Sequence, residues 1–133
     1  MAKAIHSMIR VLDPDISIQF YHSVLGLDVE ERFDFDGFSL IYLRNQETSF
    51  EIELTHNHNN TEPYTHGTGY GHLAVSVADI ASIHASLVEK GLSPTDVKTM
   101  NYLGNPMATF FFITDPDGYK IEFLERTGRF ASM

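Results

Sequence analysis

From Ile5 to Val11 the side chains alternate. Ile5, Ser7, Ile9 and Val11 fall on one face, and His6, Met8 and Arg10 on the other. A period of two predicts a strand. Asp13 then offers a helix N-cap, with Pro14 at the first helical position. Ile16, Phe20, Val24 and their neighbours Tyr21 and Leu25 recur at helical spacing, and Gly26 supplies the stop. Residues 27–33 and 38–44 flank Asp36-Gly37, a hairpin turn signal. Residues 49–55 read as a further strand. The order is βαβββ.

The same order returns downstream. Residues 71–77 alternate, with Leu73, Val75 and Val77 on the apolar side. Asp79 caps a helix carrying Ile80, Ile83, Leu87 and Val88, and Gly91 ends it. Met107 to Ile113 is an apolar strand. Asp115-Pro116-Asp117-Gly118 is a turn, and Tyr119 to Leu124 the last strand. The repeat is offset by 66 at the histidines (His6, His72) and by 65 at the Gly-Leu pairs (Gly26, Gly91), so one residue is lost within the helical stretch. Two copies of this size indicate a duplicated supersecondary unit and not a solenoid. The expected architecture is a single α+β domain over 1–133. Its modules span 4–55 and 70–125, with a polar linker at 56–69, and curved mixed sheets enclose a site.

Composition narrows the function. The chain has 133 residues, 9 Lys+Arg against 18 Asp+Glu, and a formal charge of −9. Such a charge opposes binding to a phosphate backbone or an anionic membrane surface. No cysteine is present, which excludes disulfides, thiolate metal sites and thiol catalysis. No apolar run reaches the length of a membrane span, and the first residues lack a signal-peptide core. A cytoplasmic location is the expectation, with no nucleic acid and no membrane as partner.

The duplication singles out four side chains. His6 and His72 occupy the same place in the first strand of each module, and Glu53 and Glu122 similar places in the last. Ile52 and Leu54 flank Glu53, and Ile121 and Phe123 flank Glu122. If these apolar neighbours pack under the helices, both glutamates face the other way, with both histidines. Two imidazoles and two carboxylates that converge suit Ni, Co, Zn, Fe or Mn. Taken singly, a strand His or Glu is more often a surface residue; the matched pairs reverse that preference. His22 and His84 have no matched partner and are expected to be solvated. His56, His58 and His66 are expected to be loop residues. Glu30-Glu31 and Asp34-Phe35-Asp36 are expected on a solvated hairpin.

Several stretches resemble a known family. They are His6-Ser7-Met8-Ile9-Arg10-Val11, Phe20-Tyr21-His22-Ser23-Val24-Leu25-Gly26, Ile52-Glu53-Leu54-Thr55-His56-Asn57, Gly69-Tyr70-Gly71-His72-Leu73-Ala74, and Asp115 to Glu122. Together with the duplication they resemble the vicinal oxygen chelate superfamily and, within it, the glyoxalase I (lactoylglutathione lyase) group. The resemblance implies metal ligands at His6, Glu53, His72 and Glu122. It implies one divalent metal per site, Ni or Co favoured and Zn possible. It implies a hemithioacetal of methylglyoxal and a thiol such as glutathione as substrate, isomerised through an ene-diolate to a 2-hydroxyacyl thioester. Glu122 is then the first-choice base, Glu53 the second carboxylate, and Arg10 and Asn57 the anchors for the thiol's carboxylates. A homodimer with sites at the interface is also implied, His6 and Glu53 of one copy joining His72 and Glu122 of the other. One departure stands out: the family's basic loop residue has no counterpart in Thr99 to Met107, and Lys98 is the nearest cation. The alternatives are a superfamily dioxygenase or antibiotic-modifying transferase, for which Glu53 would be surplus, and a non-catalytic small-molecule-binding protein.

Overall fold

The computed structural model describes residues 1–133. The chain forms two compact units, Met1–His66 and Gly67–Met133. In the first, β1 (His6–Arg10), α1 (Pro14–Leu25), β2 (Asp28–Asp34), β3 (Phe38–Arg44) and β4 (Glu51–Asn57) follow one another. In the second come β5 (His72–Val77), α2 (Ile80–Glu89), β6 (Lys98–Tyr102), β7 (Asn105–Thr114) and β8 (Lys120–Glu125). A short 3₁₀ turn at Gly128–Phe130 follows. Each unit holds one open four-stranded mixed sheet, in the orders β1-β4-β3-β2 and β5-β8-β7-β6.

The helices start and stop where local chemistry requires. The Asp13 carboxylate accepts from the Asp15 and Ile16 backbone N–H groups at 3.0 and 3.3 Å, and Pro14 follows it. Gly26 ends α1 in the left-handed region at φ 66°, and its N–H donates to the His22 carbonyl at 3.0 Å. Asp79 caps α2 by accepting from Ser82 N–H at 2.9 Å.

Each sheet has a packed face and an open face. In the first unit Ile9, Val11, Ile41, Leu43, Ile52 and Leu54 are buried, as are Ser17, Tyr21 and Val24 of α1. In the second, Phe111, Ile113, Ile121 and Phe123 are buried with Ile80 and Leu87 of α2, and the Phe111 and Phe123 rings stack at 4.8 Å. The expected alternation therefore holds: the apolar neighbours of both glutamates lie under the helices.

Two expectations need correction. β4 continues through His56 and Asn57, because these residues pair with Ser39 and Phe38 of β3. The connection between the sheets thus begins after Asn57, and His56 is a strand residue. The stretch before β7, where the βαβββ order calls for a strand that the residue pattern does not mark, is half of a hairpin. β6 pairs antiparallel with β7, and Leu103-Gly104 turn between them at φ 50° and 81°. Both central residues with positive φ match the twist of a two-residue hairpin.

Candidate metal centre

The parallel pairing of the first and last strands builds the same constellation twice. In the first unit Met8 is opposite Glu53, so His6 lies two residues upstream on the same face. In the second unit Ala74 is opposite Glu122, and His72 lies two residues upstream. The result is the same contact in both. His6 Nε2 is 2.9 Å from a Glu53 carboxylate oxygen, and His72 Nε2 is 2.9 Å from a Glu122 carboxylate oxygen. Both carboxylates are largely covered, whereas both imidazoles keep over a third of their surface exposed. A covered carboxylate needs a proton, a cation or strong donors beside it.

The spacing fits a cation as well as a proton. Two donor atoms about 2.1 Å from one divalent ion and about a right angle apart are separated by about 3 Å. Nitrogen and oxygen donors without sulfur suit nickel, cobalt, zinc, iron or manganese. Within either unit the arrangement stops at a pair: no group of three or more His, Asp or Glu side chains assembles there.

The aromatic ring across from each glutamate completes the pair. On β3 Tyr42 is the cross-strand partner of Glu53, and on β7 Phe112 is that of Glu122. Each ring stands edge-on to its histidine, with centroids 6.0 Å apart for Tyr42 and His6 and 5.2 Å for Phe112 and His72. Burial, and after it the Glu53 charge, raises the Tyr42 phenol above its usual pKa. Sequence reading missed both rings. Tyr42 sits in the unbroken apolar run Leu40 to Leu43, where period two is invisible. Only the β3–β4 register, set across the connection at 45–50, places it opposite Glu53.

The other expected site residues fall as follows. Arg10 is on β1, on the open face with His6, opposite Thr55. Asn57 is on the same face at the end of β4, and its amide donates to the Tyr64 hydroxyl at 3.2 Å. The remaining histidines are more engaged than expected. His22 pairs with Asp28 at 2.7 Å, and its side chain stays largely exposed. His84 contacts the Thr95 carbonyl at 2.9 Å and stands edge-on to Phe111. His58 bonds Ser39 Oγ at 2.8 Å, and that hydroxyl donates to Asp34. Because the Ser39 proton goes to Asp34, His58 is the donor on the other side, and Ser39 is not an activated nucleophile. Ser39 and Arg32 hold the Asp34 carboxyl below its usual pKa. Glu30 is paired with Arg44, so the hairpin carries ion pairs and not only solvated charges.

The family model described as "Glyoxalase/Bleomycin resistance protein/Dioxygenase superfamily" matches residues 3–123. The chain belongs to that superfamily. Among its relatives is the lactoylglutathione lyase of Haemophilus influenzae, 38% identical over 126 residues that cover 91% of this chain and 90% of that protein. A probable lactoylglutathione lyase of Synechocystis is 35% identical, over 94% and 96% of the two chains. Among solved structures, the trypanothione-dependent glyoxalase I of Leishmania major superposes with a TM-score of 0.73 at 33% identity, covering 94% of this chain and 87% of that one. Glyoxalase I from Zea mays superposes at 0.79 with 28% identity, covering 92% of this chain and 44% of that one. Membership fits the duplicated βαβββ order and the open mixed sheets. No helix is long and apolar enough to cross a membrane.

Proposed function

We propose that this chain is a metal-dependent glyoxalase I, isomerising the hemithioacetal of methylglyoxal and a thiol to the 2-hydroxyacyl thioester. The observation that carries the reading is the duplicated His–Glu pair, at one register position in both units and at 2.9 Å in both. Relatives named lactoylglutathione lyase support it. A dioxygenase or transferase with a two-His-one-carboxylate set would leave one of these glutamates without a role.

His6, Glu53, His72 and Glu122 would hold the divalent cation, nickel or cobalt before zinc. When bound, that cation supplies a Lewis acid for the negative charge developing on the substrate's two vicinal oxygens. Glu122 takes the proton from the hydroxyl-bearing carbon and returns it to the neighbouring carbon, so the reaction needs no oxidant or reductant. Glu53 serves as the second carboxylate across the site. Arg10 offers a fork of N–H donors to a carboxylate of the thiol. Asn57, its amide already given to Tyr64, keeps a carbonyl oxygen to accept from the ammonium.

Each unit supplies only one pair, which supports a homodimer in which His6 and Glu53 of one copy meet His72 and Glu122 of the other. Met8, Phe33 and Phe38, exposed on the open face of the first sheet, are the kind of surface a second copy would cover. The thiol carrier is glutathione or a less anionic thiol, because the β6–β7 turn presents Tyr102 and Leu103 and no cation.

Two experiments test this reading. Exhaustive chelation abolishes turnover of the hemithioacetal, and Ni²⁺ or Co²⁺ restores it; full activity in metal-free protein refutes it. Mixing His6→Ala with Glu122→Ala protein restores activity if sites span two copies, since one of the heterodimer's two sites is then intact. No recovery after proven subunit exchange places the site within one chain.

A further inference from the structure

The step from histidine and glutamate to Arg10 and Asn57 recurs in the second unit. Arg10 lies four residues after His6 on β1, and Asn57 four after Glu53 on β4. The matching positions in the second unit are Ser76, four after His72, and Arg126, four after Glu122. Hydrogen bonds join these two. Arg126 Nε donates to Ser76 Oγ at 3.2 Å, and that hydroxyl donates to the Met133 carbonyl at 3.0 Å. The Arg126 backbone N–H donates to the Val77 carbonyl at 2.9 Å, so the β5–β8 ladder runs one step beyond Glu125 and sets the guanidinium beside Ser76. Cation and neutral partner have exchanged strands between the units. Between His72 and Ser76 the open face carries only the exposed methyl of Ala74, where the first unit has Met8. Four residues of strand span about 13 Å, and a bare methyl leaves that track open to a ligand lying along it. A protein of formal charge −9 attracts no anion at long range, so a carboxylate needs a cation placed locally. A guanidinium offers five N–H donors in a fixed fork that suits a carboxylate, and the bond to Ser76 fixes its plane.

We infer that Arg126, positioned by Ser76, is a second carboxylate anchor on the open face of the second sheet, and that it takes the glycyl carboxylate of a glutathione-like thiol. This inference rests on the proposed function, in which Arg10 and Asn57 hold the thiol's other carboxylate together with its neighbouring ammonium. The glycyl carboxylate has no ammonium beside it and matches a site that offers donors and a positive charge. Arg126 thus supplies the cation that the β6–β7 turn lacks.

The test removes the charge and, separately, the carboxylate. Arg126 is exposed, so Arg126→Met melts within about 2 °C of the parent. Its affinity for S-methylglutathione, an unreactive thioether, falls about tenfold by calorimetric titration of the cobalt-loaded protein. KM for the glutathione hemithioacetal rises about tenfold with kcat little changed, the mark of lost uniform binding. Ser76→Ala removes only the brace and raises KM about threefold. With the glycyl carboxylate masked as an ethyl ester, the parent binds the thioether about tenfold more weakly, and Arg126→Met binds it no worse than the parent does. Unchanged affinity in Arg126→Met, or an equal loss for the thioether and its ester, overturns the inference and leaves the functional reading standing. A cobalt-loaded parent that turns over no hemithioacetal overturns the functional reading itself.

Discussion

The turn between β7 and β8 is where fold and site are joined most tightly, and Asp115→Ala is the perturbation that shows it. Asp115 is 5% exposed, and one carboxylate oxygen accepts from the Asp117 and Tyr119 backbone N–H groups at 2.9 and 2.8 Å. Its own N–H donates to the Tyr119 carbonyl at 2.8 Å, and Gly118, at φ 90°, donates back to the Asp115 carbonyl at 3.1 Å. The turn delivers the chain to Lys120, opposite His72, and so sets Glu122 in register with Ala74. A hydrogen bond to a charged group contributes about 1.5–3 kcal/mol. Two are lost in the alanine variant, but Asp117 and Tyr119 are only half-buried, so water replaces part of each. The net cost is about 2–4 kcal/mol. For a chain of this size that lowers the melting temperature by about 10 °C. Asp115→Asn keeps an acceptor oxygen and weakens both bonds, so about half of that loss is expected. Thermal melting followed by circular dichroism reads both. An alanine variant within about 2 °C of the parent, or an asparagine variant as damaged as the alanine, refutes the reasoning.

Four further outcomes follow from the structure. Phe111→Ala removes a fully buried ring stacked on Phe123 and costs about 3–5 kcal/mol, read by denaturant unfolding; a loss under about 1 kcal/mol contradicts the packing described. Ser39 and Arg32 hold the Asp34 carboxyl below its unfolded value, so the stability they confer is present above about pH 4 and fades as pH falls through the folded pKa. The stability gap between the parent and Ser39→Ala therefore narrows on acidification, and a gap that widens below that pH shows the sign to be wrong. Leu103, 83% exposed at φ 50°, is where a cation can be added without new backbone strain: Leu103→Lys lowers KM for the glutathione hemithioacetal about tenfold with kcat unchanged. An unchanged KM removes this hairpin from thiol binding. Glu122→Gln loses turnover while keeping at least part of its metal, and an unchanged kcat takes Glu122 out of the base role.

Much of this architecture was readable in the amino-acid order because the two copies corroborate each other. Asp13-Pro14 and Gly26 mark α1, Asp36-Gly37 marks the first hairpin, and Asp115 to Gly118 mark the last turn; each acts through local backbone chemistry. The His–Glu pairs were readable because period two and the apolar flanks fix which face a strand residue takes. β6 was not. Lys98 to Tyr102 are all exposed, so no apolar face marks that strand, and its turn uses Leu-Gly in place of Asn-Gly or Asp-Gly. Tyr42 and Phe112 were hidden for the opposite reason. Apolar neighbours on both sides erase the alternation, and their role depends on cross-strand register, which no local pattern encodes. His56 followed the same logic, since only its pairing with Ser39 extends β4 beyond Thr55.

Under the proposed function, His6, Glu53, His72 and Glu122 form one metal site that isomerises a hemithioacetal. The most direct measurement is a titration of chelator-stripped protein with Ni²⁺, following thioester formation from methylglyoxal and glutathione. No turnover is expected at the start, followed by a linear rise that breaks at one ion per chain and is abolished in His72→Ala. Turnover that is already complete before any ion is added, or none with Ni²⁺, Co²⁺ or Zn²⁺ at any ratio, contradicts the proposed function.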